Sequence, residues 1–159
     1  VLAYAADRGT RAHKFCNAYA LGSPVVGIDE DCRGFFKSFR NWFDKYVSEV
    51  YFAEKRLYCE TYIFDGQCDL AVRLVDSQNI IVDIKTPIQT AATWPAQVAA
   101  YRHLANVYTK GKPTFSRGMS LRVQRDGGRA IAKIYKNPDA DFNNFLSALV
   151  AYRAFVKTK

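Results

Sequence analysis

A chain of 159 residues, 49% hydrophobic and 24% charged, holds enough apolar material for one domain with a sizeable core, read here as residues 1–159. Lysine and arginine number 23 against 15 acids, a net charge of +8 that turns attention to phosphate-bearing partners. Its apolar runs fall far short of a membrane span, its first residues lack a signal-peptide pattern, and its four cysteines have neither zinc-type spacing nor disulfide-framework density, so no membrane partner is expected and a reducing compartment is favoured.

Gly9 and Thr10 open a predicted helix over residues 9–19, with Thr10 as its N-cap and His13 one turn in. Residues 22–32, with Gly22, Pro24, Gly27 and three acids, read as a loop. Phe35, Phe39, Trp42, Phe43 and Tyr46 then recur at helical spacing, which predicts an aromatic core helix continuing to Val50. Glu54 follows on the segment before a hairpin. Residues 66–74 alternate as a strand with Cys68, Leu70, Val72 and Leu74 on one side and Asp69 on the other. A turn at 76–79 folds this strand back onto the apolar run Ile80, Ile81, Val82, which ends in Asp83, Ile84 and Lys85.

Thr93, Trp94 and Pro95 start the next helix, which carries Gln97 and Tyr101 on one face at i and i+4 and ends near Lys110 and Gly111. Two strands at 116–124 and 129–135 flank the turn Asp126-Gly127-Gly128, and Pro138 introduces a last helix with the apolar stripe Phe142, Phe145, Leu149, Tyr152 and Phe155. Helix, helix, three strands, helix, two strands, helix is the order of an α/β sandwich around a mixed sheet of about five strands.

The chemistry concentrates on the hairpin. Asp83 and Lys85 share one face of a strand while Ile84 points the other way into a core, so a carboxylate and an ammonium stand where burial is expected. The fold-back brings Asp69 within reach of the same ion. Hard oxygen ligands in this number suit a hydrated Mg²⁺ or Mn²⁺, which also grips a phosphate oxygen. Lys85 then supplies a cation where phosphoryl charge grows, and positioning water, deprotonating it or stabilising the transition state are all open to it. Downstream, nine basic residues between Arg102 and Lys136 face a single acid, Asp126, and account for the whole net charge. Such a stretch is the footprint of a protein that tracks a phosphate backbone, with Arg102, Lys110, Lys112 and Arg117 as the first candidates for DNA contact.

Taken in order, Gly9-Thr10 with His13, then Glu54, Gly66 with Asp69, Asp83-Ile84-Lys85-Thr86, and Gln97 with Tyr101, the pattern over residues 9–101 resembles the RecB-type branch of the PD-(D/E)XK nuclease superfamily. It is similar to stand-alone exonucleases of phages and prophages and to the mitochondrial genome maintenance exonuclease. The resemblance implies a restriction-endonuclease-like three-layer sandwich and a metal-dependent deoxyribonuclease, an exonuclease in preference to an endonuclease of the repair or junction type. A catalytically idle DNA-binding or assembly protein is the alternative from another class. By the resemblance, His13, Asp69 and Asp83 would be side-chain ligands of Mg²⁺ or Mn²⁺, the carbonyl of Ile84 a further ligand, and Lys85 the catalytic lysine. Gln97 and Tyr101 match the family's Q-x-x-x-Y helix, and Glu54 matches a frequent acidic position.

Two departures stand out: Cys68-Asp69 replaces the proline-aspartate pair that names the superfamily, and Pro87 follows Thr86 where many relatives have glycine. Relatives with an iron–sulfur cluster hold it with one upstream cysteine and a C-terminal group of three. Cys16, Cys32, Cys59 and Cys68 leave none after residue 68, so no cluster is expected. The implied partners are DNA, a further copy of the chain, or a single-strand-annealing or recombination protein. The implied location is the cytoplasm of a bacterial or phage-infected cell, and the absent initiator methionine, read as a trimmed start, leaves an organelle open.

Overall fold

The aromatic periodicity, the apolar strand run and the Pro-initiated helices each form the element their spacing predicts. The computed structural model describes residues 2–156. In chain order the elements are α1 (Leu2–Ala20), α2 (Glu30–Tyr46), β1 (Val47–Cys59), β2 (Phe64–Leu74), β3 (Asn79–Lys85), α3 (Trp94–Thr109), β4 (Arg117–Arg122), β5 (Ile131–Ile134) and α4 (Pro138–Phe155). The sheet runs β1-β2-β3-β4-β5, antiparallel throughout except for β3 and β4, which are parallel and joined through α3. Helices α1 and α2 cover one face, α3 covers the other, and α4 lies on α3: an α/β sandwich around a mixed five-stranded sheet. Among the described residues no helix is long and apolar enough to cross a membrane.

Strand β3 is buried on both faces, which is why its sequence is a continuous apolar run rather than an alternation. Ile80, Val82 and Ile84 enter a core with Phe35, Phe39, Trp42 and Leu121 beneath α1 and α2, whereas Ile81 enters a second core with Leu104 and Phe115 beneath α3. Each such side chain contributes roughly 1.5–3 kcal/mol of burial. The cysteines divide the same way, Cys16 and Cys32 in the first core and Cys59 and Cys68 in the second.

Several boundaries differ from the sequence expectation. Helix α1 begins at Leu2, so Thr10 lies inside it and its hydroxyl donates to the carbonyl of Ala6 at 3.1 Å instead of capping. Gly9 is accepted within this helix because α1 passes close to the end of β3: a Cβ there would stand 3.1 Å from Thr86 Oγ1. The loop is shorter than read, since Glu30 and Asp31 already form the acidic first turn of α2, where the helix dipole favours them. At its other end α2 stops at Tyr46, and Val47 and Val50 are strand residues paired with Leu74 and Val72. Their β-branched side chains gain more from the sheet than from another helical turn.

Helix α4 keeps three of the five residues of its predicted stripe. Phe142, Phe145 and Leu149 pack on the second core, but Tyr152 and Phe155 are 55% and 83% exposed, because α4 rests mainly on α3 and meets the sheet only near the start of β2. Its anchor is aromatic: the His103 ring stacks on Phe142 with centroids 4.3 Å apart, and Phe64 meets Phe145 at 4.8 Å. Burial, with the charge of Arg102 beside it, pulls the His103 pKa below its ordinary 6.5. Below pH 6.5 the unfolded chain therefore binds the proton more readily than the folded one, and stability falls as pH drops through that window. Amide exchange in α4 should speed up relative to β3 between neutral and mildly acid pH. Slower exchange would mean that attraction between imidazolium and the Phe142 ring outweighs desolvation.

Candidate active site

The site forms where the ladder between β2 and β3 ends against α1 and α3. Their ladder closes at Leu70 and Val82, which leaves Asp69 opposite Asp83. In place of the next ladder bond, the Asp69 side chain accepts the Ile84 backbone N–H through Oδ2 at 2.8 Å. The expected alternation of β2 fails at this point. Leu70, Val72 and Leu74 face the first core, but Cys68 faces the second. Strand β1 switches faces at the matching place, with Ala53 on the first core and Leu57 on the second. Between the pairs Ala53 with Leu70 and Lys55 with Cys68 stand Glu54 and Asp69, and Glu54 adopts a left-handed φ of 48°. That conformation is costly for a residue with a Cβ, and it lets two neighbouring strands twist together and turn both acids toward one cleft.

The cleft has a volume of about 470 Å³ and is lined by Gly9, His13, Asn17, Glu54, Asp69 and Thr86 among others. His13 reaches Asp69, Nδ1 to Oδ1, at 3.4 Å. Burial lowers the His13 pKa, but the hydrogen bond to Asp69 and the charges of Asp69 and Asp83 outweigh it, and the net shift is upward.

On the α3 side the predicted i, i+2 relation holds: Lys85 Nζ stands 2.7 Å from Asp83 Oδ2. Lys85 Nζ also donates to Gln97 Oε1 at 2.8 Å, and Gln97 Nε2 donates to the Tyr101 hydroxyl at 3.0 Å. Gly66 allows this chain to close up, since a Cβ there would meet the Tyr101 ring at 2.9 Å. The Asp83–Lys85 contact is close but off line, so the buried Oδ2 lacks an aligned donor. Burial lifts the Asp83 pKa to about 6 against the pull of Lys85, with Asp69 adding to the rise.

These positions bring His13, Glu54, Asp69, Asp83, Lys85, Gln97 and Tyr101 together around the C-terminal end of β3, and they place the Ile84 carbonyl there with its N–H engaged by Asp69. Among the described residues no three His, Cys, Asp or Glu side chains are drawn close enough together to hold a metal ion. His13 is closed against Asp69 and Asp83 against Lys85 instead. In kind the donors fit Mg²⁺ or Mn²⁺, two carboxylates and an imidazole, and a cation would satisfy the Asp83 oxygen that has no aligned donor.

The four predicted DNA contacts lie elsewhere. Arg102 is engaged by Asp139 at 2.7 Å and its side chain is mostly buried. Arg117 pairs with Ile80, five residues and roughly 17 Å along the strand from Lys85, and Lys110 and Lys112 follow the C-terminal end of α3. A basic residue beside the site is Arg122, the register partner of Lys85. Two others were missed. Asn17 lies one turn beyond His13 on α1, is 2% exposed, and has a side-chain oxygen without a partner at the cleft. Trp94 presents its ring 5.5 Å from Lys85 Nζ. Both were reachable from spacing, Asn17 at i+4 from His13 and Trp94 one turn before Gln97.

No family model and no curated protein matches this chain.

Proposed function

We propose that this chain is a metal-dependent deoxyribonuclease that hydrolyses phosphodiester bonds at DNA ends. The observation that carries the reading is the buried Asp83–Lys85 pair at the end of the central strand, with Asp69 opposite and the Gln97–Tyr101 chain behind the lysine. A divalent ion held by His13, Asp69, Asp83 and the Ile84 carbonyl would supply an acidified water and neutralise phosphate charge. Gln97, itself held by Tyr101, fixes the ammonium of Lys85, so that no reorganisation is required when charge develops on the phosphate. The Trp94 ring removes water from one side of that ammonium and strengthens its field. An exonuclease is preferred on the resemblance. DNA, a second copy of the chain or a recombination protein are the proposed partners, in the cytoplasm of a bacterial or phage-infected cell or in an organelle.

The test is digestion of end-labelled linear and covalently closed circular DNA with Mg²⁺, Mn²⁺ or EDTA, for wild type and Asp83→Ala. Metal-dependent shortening of linear DNA by the wild type alone, with circles intact, is the expected result. Nicked circles would make the protein an endonuclease, and an inert wild type would make it a DNA-binding or assembly protein.

A further inference from the structure

The face that carries Asp83 and Lys85 continues onto β4 and β5. Asp83 pairs with Ser120 and Ser120 with Lys133, while Lys85 pairs with Arg122. Directly paired residues share a face, so Lys133 and Arg122 project to the side of the catalytic pair. The alternate residues of β4, Met119 and Leu121, point into the opposite core, as this requires. Helix α3 covers the face only as far as the small cluster of Trp94, Val98 and Tyr135, and beyond it every residue of β5 is exposed. The buried hydroxyls of Ser120 and Tyr135, 2.8 Å apart, lock the two strands together beneath.

With about 4.8 Å between strands, Arg122 stands one strand and Lys133 two strands, about 10 Å, from β3. Among the described residues neither cation has a carboxylate within ion-pair distance. Arg122 gives one Nη to the carbonyl of Ile88, which ties the loop after β3 to the sheet, and Lys133 Nζ lies 5.9 Å from the Tyr135 ring. On the other side of β3 the cleft presents Glu54 and Asp69 and has neither lysine nor arginine in its lining. The site is therefore flanked by unpaired positive charge on one side and by acids on the other.

We infer that Arg122 and Lys133 form a phosphate track that holds the body of a DNA strand across β4 and β5 and feeds it to the Asp83–Lys85 site from that side. This assignment rests on the nuclease reading for what happens at the site, but not for the binding itself. A backbone laid over β1 and β2 instead would meet Glu54 and Asp69, which repel phosphate unless a cation is bound between them.

The test is fluorescence anisotropy with a labelled single strand of about 20 nucleotides, in EDTA and at rising NaCl, since two lost phosphate contacts should flatten the log K against log salt slope by roughly 1.4. The proteins are wild type, Lys133→Gln, the double variant Arg122→Gln with Lys133→Gln, and the far-end double variant Lys112→Gln with Arg117→Gln. The near-site double variant should bind about 10-fold more weakly at low salt, Lys133→Gln should show about half the slope change, and the far-end double variant should change binding less than about twofold. Equal losses in both double variants, or none in either, would overturn the track. No turnover is needed for this readout. Active enzyme with unchanged affinity in the near-site variants would remove the track and leave the nuclease reading, whereas an inert wild type with the expected slope change would do the reverse.

Discussion

Lys85→Ala is expected to lower the rate of DNA hydrolysis by about 10³-fold while leaving the protein folded and able to bind DNA. The ammonium is the cation that faces the proposed phosphate, and it is held from two sides, by Asp83 at 2.7 Å and Gln97 at 2.8 Å. A water in the vacated space cannot reproduce that fixed charge. The same substitution also strips Asp83 of its ion-pair partner in a site where it is 3% exposed, and an uncompensated buried charge costs about 3–5 kcal/mol. Asp83 escapes part of this cost by taking up a proton. Its pKa is already raised to about 6, and without Lys85 it must rise further. A carboxyl whose folded pKa lies above its unfolded one favours folding most at low pH and loses that contribution as pH rises through the folded value. Thermal denaturation should therefore show the variant close to wild type at acid pH and well below it above pH 7. Retained turnover in Lys85→Ala would remove the lysine from the chemistry, and joint loss of turnover and DNA binding would make its role one of substrate binding.

Gly34→Ala should destabilise the protein by about 3 kcal/mol, seen as a fall in melting temperature of roughly 6–12 °C. On helix propensity alone the change would stabilise α2 by about 1 kcal/mol. The packing reverses the sign. A Cβ on Gly34 would stand 1.6 Å from the carbonyl oxygen of Arg125 and 3.1 Å from the amide nitrogen of Gly127, both backbone atoms of the turn joining β4 to β5. No side chain can swing aside there, so either α2 or the turn must shift. The turn is itself bound to α2, with Gln124 N–H donating to Ser38 Oγ at 3.0 Å. An unchanged or raised melting temperature would mean that this contact is looser than the structure has it.

Much of the fold was legible in the residues because burial and period leave local traces. The two-sided burial of β3 appears as Ile80, Ile81 and Val82 in a row, α2 as its aromatic repeat, and the order of nine elements as the alternation of those periods with Pro and Gly punctuation. The pairing of Asp83 with Lys85 was legible for the same reason, since i and i+2 on a strand share a face whatever surrounds them. So was Gln97 with Tyr101, one turn apart on α3.

What only the tertiary structure decided are the relations between residues far apart in the chain. The joint change of face at Glu54 and Asp69 depends on two strands twisting together, and a single strand read alone predicts unbroken alternation. The position of the basic residues depends on register: Arg117 and Arg122 lie five apart on one strand, yet the parallel pairing of β4 with β3 sets the first beside Ile80 and the second beside Lys85. Local sequence determines period and propensity, because those are properties of neighbouring residues. It does not determine which end of a sheet a charge occupies, because that is set by a crossover helix and by hydrogen bonds between strands that meet only when the chain has folded.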